Sequence, residues 1–326
     1  MRVAIVGCGA VGRKRAGAIS GGVVVMCCDL DFERAQELAR SCTARVTSDW
    51  EEAASSPEID VVIVSTTHNM LPRVAELAAA AGKHVLIEKP GARRAAELDP
   101  VKVAASRTGA LVRIGFNHRY HRAFRKAREI LETGVLGDLM FLRSRYGHGG
   151  RIGYDKEWRA NPEISGGGEG IDQGMHLIDL ARWLLGEIEH VEGHAATYYW
   201  DMPVDDNSFY LLRTATNQTA FLHASCTDWK NTFSFEIYGK AGKLEISGLG
   251  GSYGVERLFH YQMTPTMGPP ETTIYEFPMD DDSWDREWQA FAEDIRANRP
   301  PNPGIEDAQS ALRVVEEIYR KSTQFI

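Results

Sequence analysis

A lysine that ends an apolar run and precedes proline has its backbone set by both neighbours, and His84-Val85-Leu86-Ile87-Glu88-Lys89-Pro90 is such a stretch. Four apolar residues between polar ones read as a strand covered on both faces, and ligands of open parallel sheets gather outside the carboxyl ends of the strands. Proline steers its predecessor out of the helical region, so Lys89 is expected extended at the strand end, where its ammonium can meet a ligand. A surface lysine at a turn is the plainer alternative. A second chemical stretch runs from Ser165-Gly166-Gly167-Gly168 through Asp172, His176 and Asp179 to Gly186. If the residues after the glycines are helical, Asp172, His176 and Asp179 fall at i, i+4 and i+7 on one face of an otherwise apolar helix. An imidazole changes charge near neutral pH, so His176 beside Asp172 is equipped to take and return a proton; a histidine merely satisfied by nearby carboxylates is the alternative.

A third stretch suits a phosphate. Residues 2–6 are apolar and strand-like, Gly7-Cys8-Gly9-Ala10-Val11-Gly12 follows, and residues 13–19 can start a helix. Glycines there permit a tight turn and close approach of backbone to a pyrophosphate, while a helix N-terminus offers unpaired amides. The motif gains weight because Val23 to Cys28 reads as a second strand ending in Asp29, where an acid would bind the adenosine ribose hydroxyls. Asp29 is followed by Leu30 and Asp31, a setting that favours NAD over NADP because a 2′-phosphate would meet negative charge. Capping the next helix is the alternative role for Asp29.

These groups need elements to place them. Strands and helices alternate up to Phe116: the strand Asp60 to Ser65 with the polar loop Thr66-Thr67-His68-Asn69, a helix over 71–81 stopped by Gly82, a helix near 94–106, and the strand Leu111 to Phe116 followed by Asn117, His118, Arg119 and Tyr120. Repeated β-α order predicts a doubly wound parallel sheet over residues 1–120. Beyond it a basic helix, His121 to Glu132, leads into runs of strands with short turns, at 139–146, 189–200, 207–214, 219–226, 233–238, 243–246 and 274–277. Such runs predict an α+β domain over 121–326, built on a mostly antiparallel open sheet and closed by helices at 284–297 and 307–323. One face of that sheet lacks helices to cover it, so a homodimer or homotetramer is expected.

Composition narrows the class. The 326 residues are 43% hydrophobic and 25% charged, ordinary for soluble globular chains of two domains. A net charge of −8 and a pI near 5.7 give no footprint for nucleic acid or anionic membrane. The opening strand breaks at Gly7 before a secretory segment would be complete, and no run reaches membrane-spanning length, so a cytoplasmic protein is expected. Five cysteines without Cys-x-x-Cys spacing speak against a disulfide framework or structural zinc, and His118, His121, His148 and His176 lack a metal motif; no metal is expected. Trp158, Trp200 and Trp229 are either core or a stacking face for a sugar, and Arg151, Lys156 and Arg159 either hold an anionic substrate or form a solvated loop.

The glycine turn with Asp29, Glu88-Lys89-Pro90, Gly115-Phe116-Asn117-His118-Arg119-Tyr120, and Gly166-Gly167-Gly168 with Asp172 and His176 together resemble the glucose-fructose oxidoreductase, inositol dehydrogenase and rhizopine catabolism family (Gfo/Idh/MocA). The resemblance covers nearly the whole chain. It implies a nucleotide-binding Rossmann domain, a sheet-rich second domain, and hydride transfer between NAD(P) and a secondary hydroxyl of a sugar, cyclitol or derivative, nucleotide-linked sugars included. It makes Lys89, Asp172 and His176 the catalytic set. Gly7, Gly9, Ala10, Val11, Gly12, Asp29, Thr66, Thr67, His68, Glu88, Lys89 and Asn117 fall on the cofactor side, Glu88 beside the nicotinamide end. Substrate contacts are expected from Lys89, Arg119, Tyr120, Tyr146, His148, Arg159, Asp172 and His176. Two other readings stay open from the residues: a non-catalytic dinucleotide-binding sensor, and a lyase or hydrolase that cycles a tightly held NAD.

Overall fold

The computed structural model describes residues 1–266 and 268–322. By its internal contacts the chain forms two compact units: Met1–Asn117 with Glu163–Gly166 and Trp284–Arg313, and His118–Pro162 with Gly167–Ser283 and the residues from Val314 onward.

The first unit contains a parallel sheet of six strands, β1 (Arg2–Val6), β2 (Val23–Cys28), β3 (Arg45–Thr47), β4 (Val61–Val64), β5 (His84–Glu88) and β6 (Val112–Gly115), in the order β3-β2-β1-β4-β5-β6. Runs such as Val61-Val62-Ile63-Val64 are buried at every position because helices cover both faces of such a sheet. Helix starts are fixed by short acids: Asp31 accepts from the Arg34 amide ahead of Phe32–Cys42, and Asp49 accepts from the Glu51 and Glu52 amides ahead of Trp50–Ser55. The edge strand β3 was not expected; one exposed and two half-buried residues without an apolar run leave no periodic signal. Past β5 the chain makes a 3₁₀ turn, Ala95–Leu98, before the helix Asp99–Thr108 begins with Pro100 in its first turn.

The helix Ser283–Ala297 was expected to belong with residues 121–326. Its apolar positions Trp288, Phe291 and Ala292, at i, i+3 and i+4, instead join the buried cluster of Val3, Ile5, Val24, Leu38, Val61, Ile63 and Leu86. Trp288 Nε1 also donates to the Ser20 carbonyl at 2.9 Å. Hydrophobic spacing identifies a helix but says nothing about which sheet it covers.

The second unit holds an eight-stranded sheet: β7 (Leu139–Gly147), β8 (Ile188–Ala196), β9 (Asn207–Thr214), β10 (Thr219–Ser225), β11 (Thr232–Gly239), β12 (Gly242–Ser247), β13 (Glu256–Gln262) and β14 (Glu271–Phe277), in the order β14-β13-β12-β11-β7-β10-β9-β8. β7 and β10 pair in parallel; the other neighbours are antiparallel. Leu142, Leu212, Leu222, Phe235, Ile237, Ile246 and Leu258 are buried on the face covered by the helices Arg122–Glu132 and Gly174–Leu185. Alternate residues Phe141, Leu211 and Phe221 are exposed. Sequence reasoning missed β13, whose Glu256, Arg257 and His260 interrupt the apolar pattern. It also ran β8 on to Trp200, whereas the strand ends at Ala196 and the next residues turn around Asp206. The last helix is Ile305–Lys321; the expected end at Thr323 lies outside the described residues. Among the described residues no helix is long and apolar enough to cross a membrane.

Candidate active site

The glycine turn of the first unit shows why each glycine is there. Gly7 has φ +95°, and a Cβ on it would lie 2.5 Å from the Ser65 carbonyl oxygen at the end of β4. A Cβ on Gly12 would lie 2.0 Å from the Gly7 oxygen, so that glycine lets the helix Ala10–Gly17 close on the turn. Gly9 is different, since a Cβ there meets nothing within 4 Å. It precedes the helix without a side-chain cap, so the amides at Ala10 and Val11 sit at a helix start with open space beside the backbone. That fits a pyrophosphate, whose negative charge the helix terminus favours. Asp29, at the end of β2, accepts from the Cys8 amide at 2.8 Å and from the Asp31 amide at 2.9 Å. Its carboxylate is thereby fastened to the turn.

Thr66, Thr67 and His68 follow β4. Thr66 and Thr67 are partly exposed, and Thr67 Oγ1 lies 2.8 Å from Asn69 Oδ1. His68 is buried, with Nδ1 at 2.7 Å from the Ser165 carbonyl, so its ring ties this loop to residues 163–166. At the end of β5, Lys89 is half-buried and its peptide to Pro90 is cis. Glu88, expected beside the nicotinamide end, is buried and accepts from Arg15 Nε at 2.5 Å. Arg15 Nη1 also reaches Glu287 Oε2 at 2.5 Å. Asn117 is buried beyond β6.

In the second unit the stretch after the three glycines forms two helices, Glu169–Asp172 and Gly174–Leu185. Asp172, His176 and Asp179, expected on one helix face, have different partners. Asp179 forms a two-point ion pair with Arg119, Oδ2 to Nε at 2.8 Å and Oδ1 to Nη2 at 2.6 Å, both side chains buried. Arg119, expected to bind substrate, fixes the segment after β6 to the helix through its guanidinium. Asp172 accepts from Arg159 Nε at 3.0 Å, so Arg159, likewise expected at the substrate, is held by the carboxylate it was thought to accompany. His176 is buried and stacks on His118, ring centroids 3.6 Å apart and planes inclined by 12°. Tyr146 lies 5.3 Å from the His118 ring and 6.3 Å from that of His176. Burial pushes its phenol well above the usual tyrosine value, and burial pushes neighbouring Tyr253 up to about 12, so both are hydrogen-bond donors at neutral pH. Tyr120 is half-buried.

Two carboxylates at this site carried no assignment from sequence. Glu169 is buried and accepts from the Tyr154 hydroxyl at 2.6 Å. His148 Nδ1 accepts from the Gly150 amide at 3.0 Å, which leaves the proton on Nε2, 3.5 Å from Glu169 Oε1. Burial alone would lower the His148 pKa, but the hydrogen bond and field of Glu169, aided by Asp172, outweigh it and raise the value. Asp205 accepts from the Gly168 and Gly170 amides at 2.8 and 2.7 Å, from Ser208 Oγ at 2.7 Å and from the Tyr319 hydroxyl at 2.6 Å. It fastens the glycine turn in front of Asp172 and His176. An acid directly after three glycines was a visible signal for Glu169; Asp205, 33 residues beyond Asp172, gave none.

Comparison with known proteins gives the same two-part division. Residues 1–116 match the oxidoreductase family with NAD-binding Rossmann fold, and residues 124–245 match the GFO/IDH/MocA C-terminal domain. The chain is similar to levoglucosan dehydrogenase of Pseudarthrobacter phenanthrenivorans, 28% identical over 61% of this chain and 58% of that protein. It is similar to inositol 2-dehydrogenase 2 of Saccharopolyspora erythraea, 32% identical over 57% and 54%. The matched region thus spans little more than half the length of these two relatives, whereas myo-inositol 2-dehydrogenase of Thermotoga maritima matches at 24% identity over 96% of this chain and 93% of its own. Among solved structures, levoglucosan dehydrogenase with NADH and levoglucosan superposes with a TM-score of 0.89 at 22% identity, covering 100% of this chain and 97% of that one. GenD2 from gentamicin A biosynthesis, in complex with NAD, gives 0.83 at 21%, over 99% and 94%.

Proposed function

The chain belongs to the glucose-fructose oxidoreductase, inositol dehydrogenase and rhizopine catabolism (Gfo/Idh/MocA) family, and on that footing we propose that it is an NAD-dependent dehydrogenase acting on a secondary hydroxyl of a sugar, cyclitol or sugar derivative. The observation that carries the reading is a buried imidazole, His176, held flat against His118, in a chain whose glycine turn leaves open space at Gly9. The relatives named for levoglucosan and inositol supply the substrate class.

When bound, the nicotinamide supplies the hydride acceptor. The side chains handle the proton and the developing charge. His176 takes the hydroxyl proton as the carbon gives up hydride, and returns it in the reverse direction. Asp172 carries the negative charge that favours the protonated imidazole, while Arg159 fixes that carboxylate in place. Lys89 holds the substrate oxygen and favours the charge that grows on it. Tyr120, Tyr146, His148, Arg119 and Arg159 are the remaining substrate contacts, the two arginines fixed by Asp179 and Asp172. Asp29 fastened beside the turn supports NAD over NADP, since a 2′-phosphate would face a carboxylate. We place the protein in the cytoplasm as a homodimer or homotetramer associating through the exposed sheet face.

The test is hydride transfer. Purified protein with NAD and a panel of pyranoses, inositols and nucleotide sugars should produce the absorbance of reduced nicotinamide. Lys89→Ala should lower kcat by at least about a hundredfold, and Asp29→Ala should weaken NAD binding. A fully active Lys89→Ala enzyme would overturn the assignment.

A further inference from the structure

We propose that the second unit carries an aromatic platform, Tyr199 with Trp229, that receives the distal ring of a neutral glycoside or disaccharide whose other ring is the reacting sugar. The inference rests on the sugar-dehydrogenase reading and narrows its substrate class.

Tyr198, Tyr199 and Trp229 are 65%, 60% and 65% exposed, an unusual concentration of large rings at a surface. The turn that shows them is rigidly built. The buried Asp206 carboxylate accepts from the Tyr198, Tyr199 and Trp200 amides at 2.9, 2.7 and 3.0 Å, so three consecutive aromatic residues are clamped by one acid. Trp229 has φ +59°, a conformation that side-chain-bearing residues seldom adopt. Glycines accommodate both indole-bearing segments: a Cβ on Gly149 would lie 3.1 Å from Trp229 Cα, and one on Gly150 would lie 2.4 Å from Trp200 Cζ2.

The rings form a row with a direction. Tyr199 meets Trp229 edge to face, centroids 4.7 Å apart, and meets Trp200 at 5.2 Å. Trp200 meets Tyr154 at 5.7 Å, and Tyr154 donates to Glu169. Glu169 begins the short helix that ends at Asp172. The row therefore leads from solvent to the element bearing a proposed catalytic residue. Its amphipathic rings offer apolar faces to the C–H surfaces of a sugar while leaving its hydroxyls hydrated.

Charge decides the class of ligand. Arg151 pairs with Glu157 at 2.7 Å and Arg159 with Asp172 at 3.0 Å, so both arginines of this segment are already matched by carboxylates. A phosphate-bearing substrate would have to break those pairs; an uncharged second ring would not.

The test is calorimetric titration of the full-length protein, loaded with NADH, against glucose, myo-inositol, cellobiose and phenyl β-D-glucoside, beside a turnover assay with NAD. Cellobiose or the phenyl glucoside should bind about tenfold more tightly than the single rings, and Tyr199→Ala and Trp229→Ala should each bring that ratio close to one. An unbiased ratio in the parent protein, failure of both two-ring ligands to bind, or a ratio unchanged in both variants overturns the proposal. So does a fall in assembly size caused by either variant in sedimentation, which would assign the rings to a subunit contact. Turnover of single rings with no two-ring preference sinks the platform alone; a two-ring preference lost in the variants without turnover of any sugar sinks the dehydrogenase reading alone.

Discussion

Glu169 and His148 give this site a pH response of their own. Glu169 raises the His148 pKa above its ordinary value, so folding binds the imidazole's proton more tightly than the unfolded chain does. The resulting stability is complete below about pH 6.5 and is lost as pH rises through the raised folded value. In Glu169→Gln the carboxylate is gone and burial, which lowers the pKa, prevails. The melting-temperature gap between parent and Glu169→Gln should therefore be larger at pH 6 than at pH 8.5. A gap independent of pH would remove Glu169 as the cause. At this scale residue type and spacing single out Lys89, Asp172, His176 and Asp29 as candidates. Pairings were not readable from sequence. That Arg119 belongs to Asp179 and Arg159 to Asp172 depends on folded-state distances between side chains 60 and 13 residues apart.

At the level of elements, glycines separate sites built for a ligand from sites built for packing. Gly9→Ala puts a methyl in open space, so the thermal midpoint without cofactor should stay within about 1–2 °C while NAD affinity falls at least about tenfold. Gly168→Ala is the contrast, because its Cβ would lie 1.8 Å from the Asp205 carbonyl oxygen, and its cost should appear as lost stability before any ligand is added. The helix Ala10–Gly17 bears a further burden. Arg15 is buried between Glu88 and Glu287, and Arg15→Met would leave two buried carboxylates without their cation. Destabilisation of about 3–5 kcal/mol, read from urea midpoints, is expected; a change below 1 kcal/mol would show that the pair is replaceable. Elements with long regular patterns, such as β4 and the helix Phe32–Cys42, were legible from sequence. The three-residue β3 and the charge-interrupted β13 were not, because alternation needs length to rise above composition.

At the scale of the molecule, the proposed self-association is assigned to the exposed sheet face. Leu211 and Phe221 are cross-strand neighbours, Phe221 pairs with Arg143, and Phe141 stacks on Tyr238 at 4.2 Å. Phe221→Glu should reduce the sedimenting mass by at least half at micromolar concentration, and an unchanged mass would move the contact elsewhere. The fold classes of both sheets followed from element order, whereas the ownership of the helix Ser283–Ala297 did not, since either sheet could have used its apolar stripe. That ownership affects how the chain can be made. Strands β1 to β6 leave the ribosome long before Trp288 and Phe291, the residues that complete their core, and at roughly 5–20 residues per second the wait is on the order of ten to thirty seconds. During synthesis that face of the nucleotide-binding sheet is thus covered only in part, by Ala35, Leu38 and Ala39 of the helix Phe32–Cys42, until Trp288 and Phe291 arrive. A gene fragment cut after residue 120 would freeze it in that state.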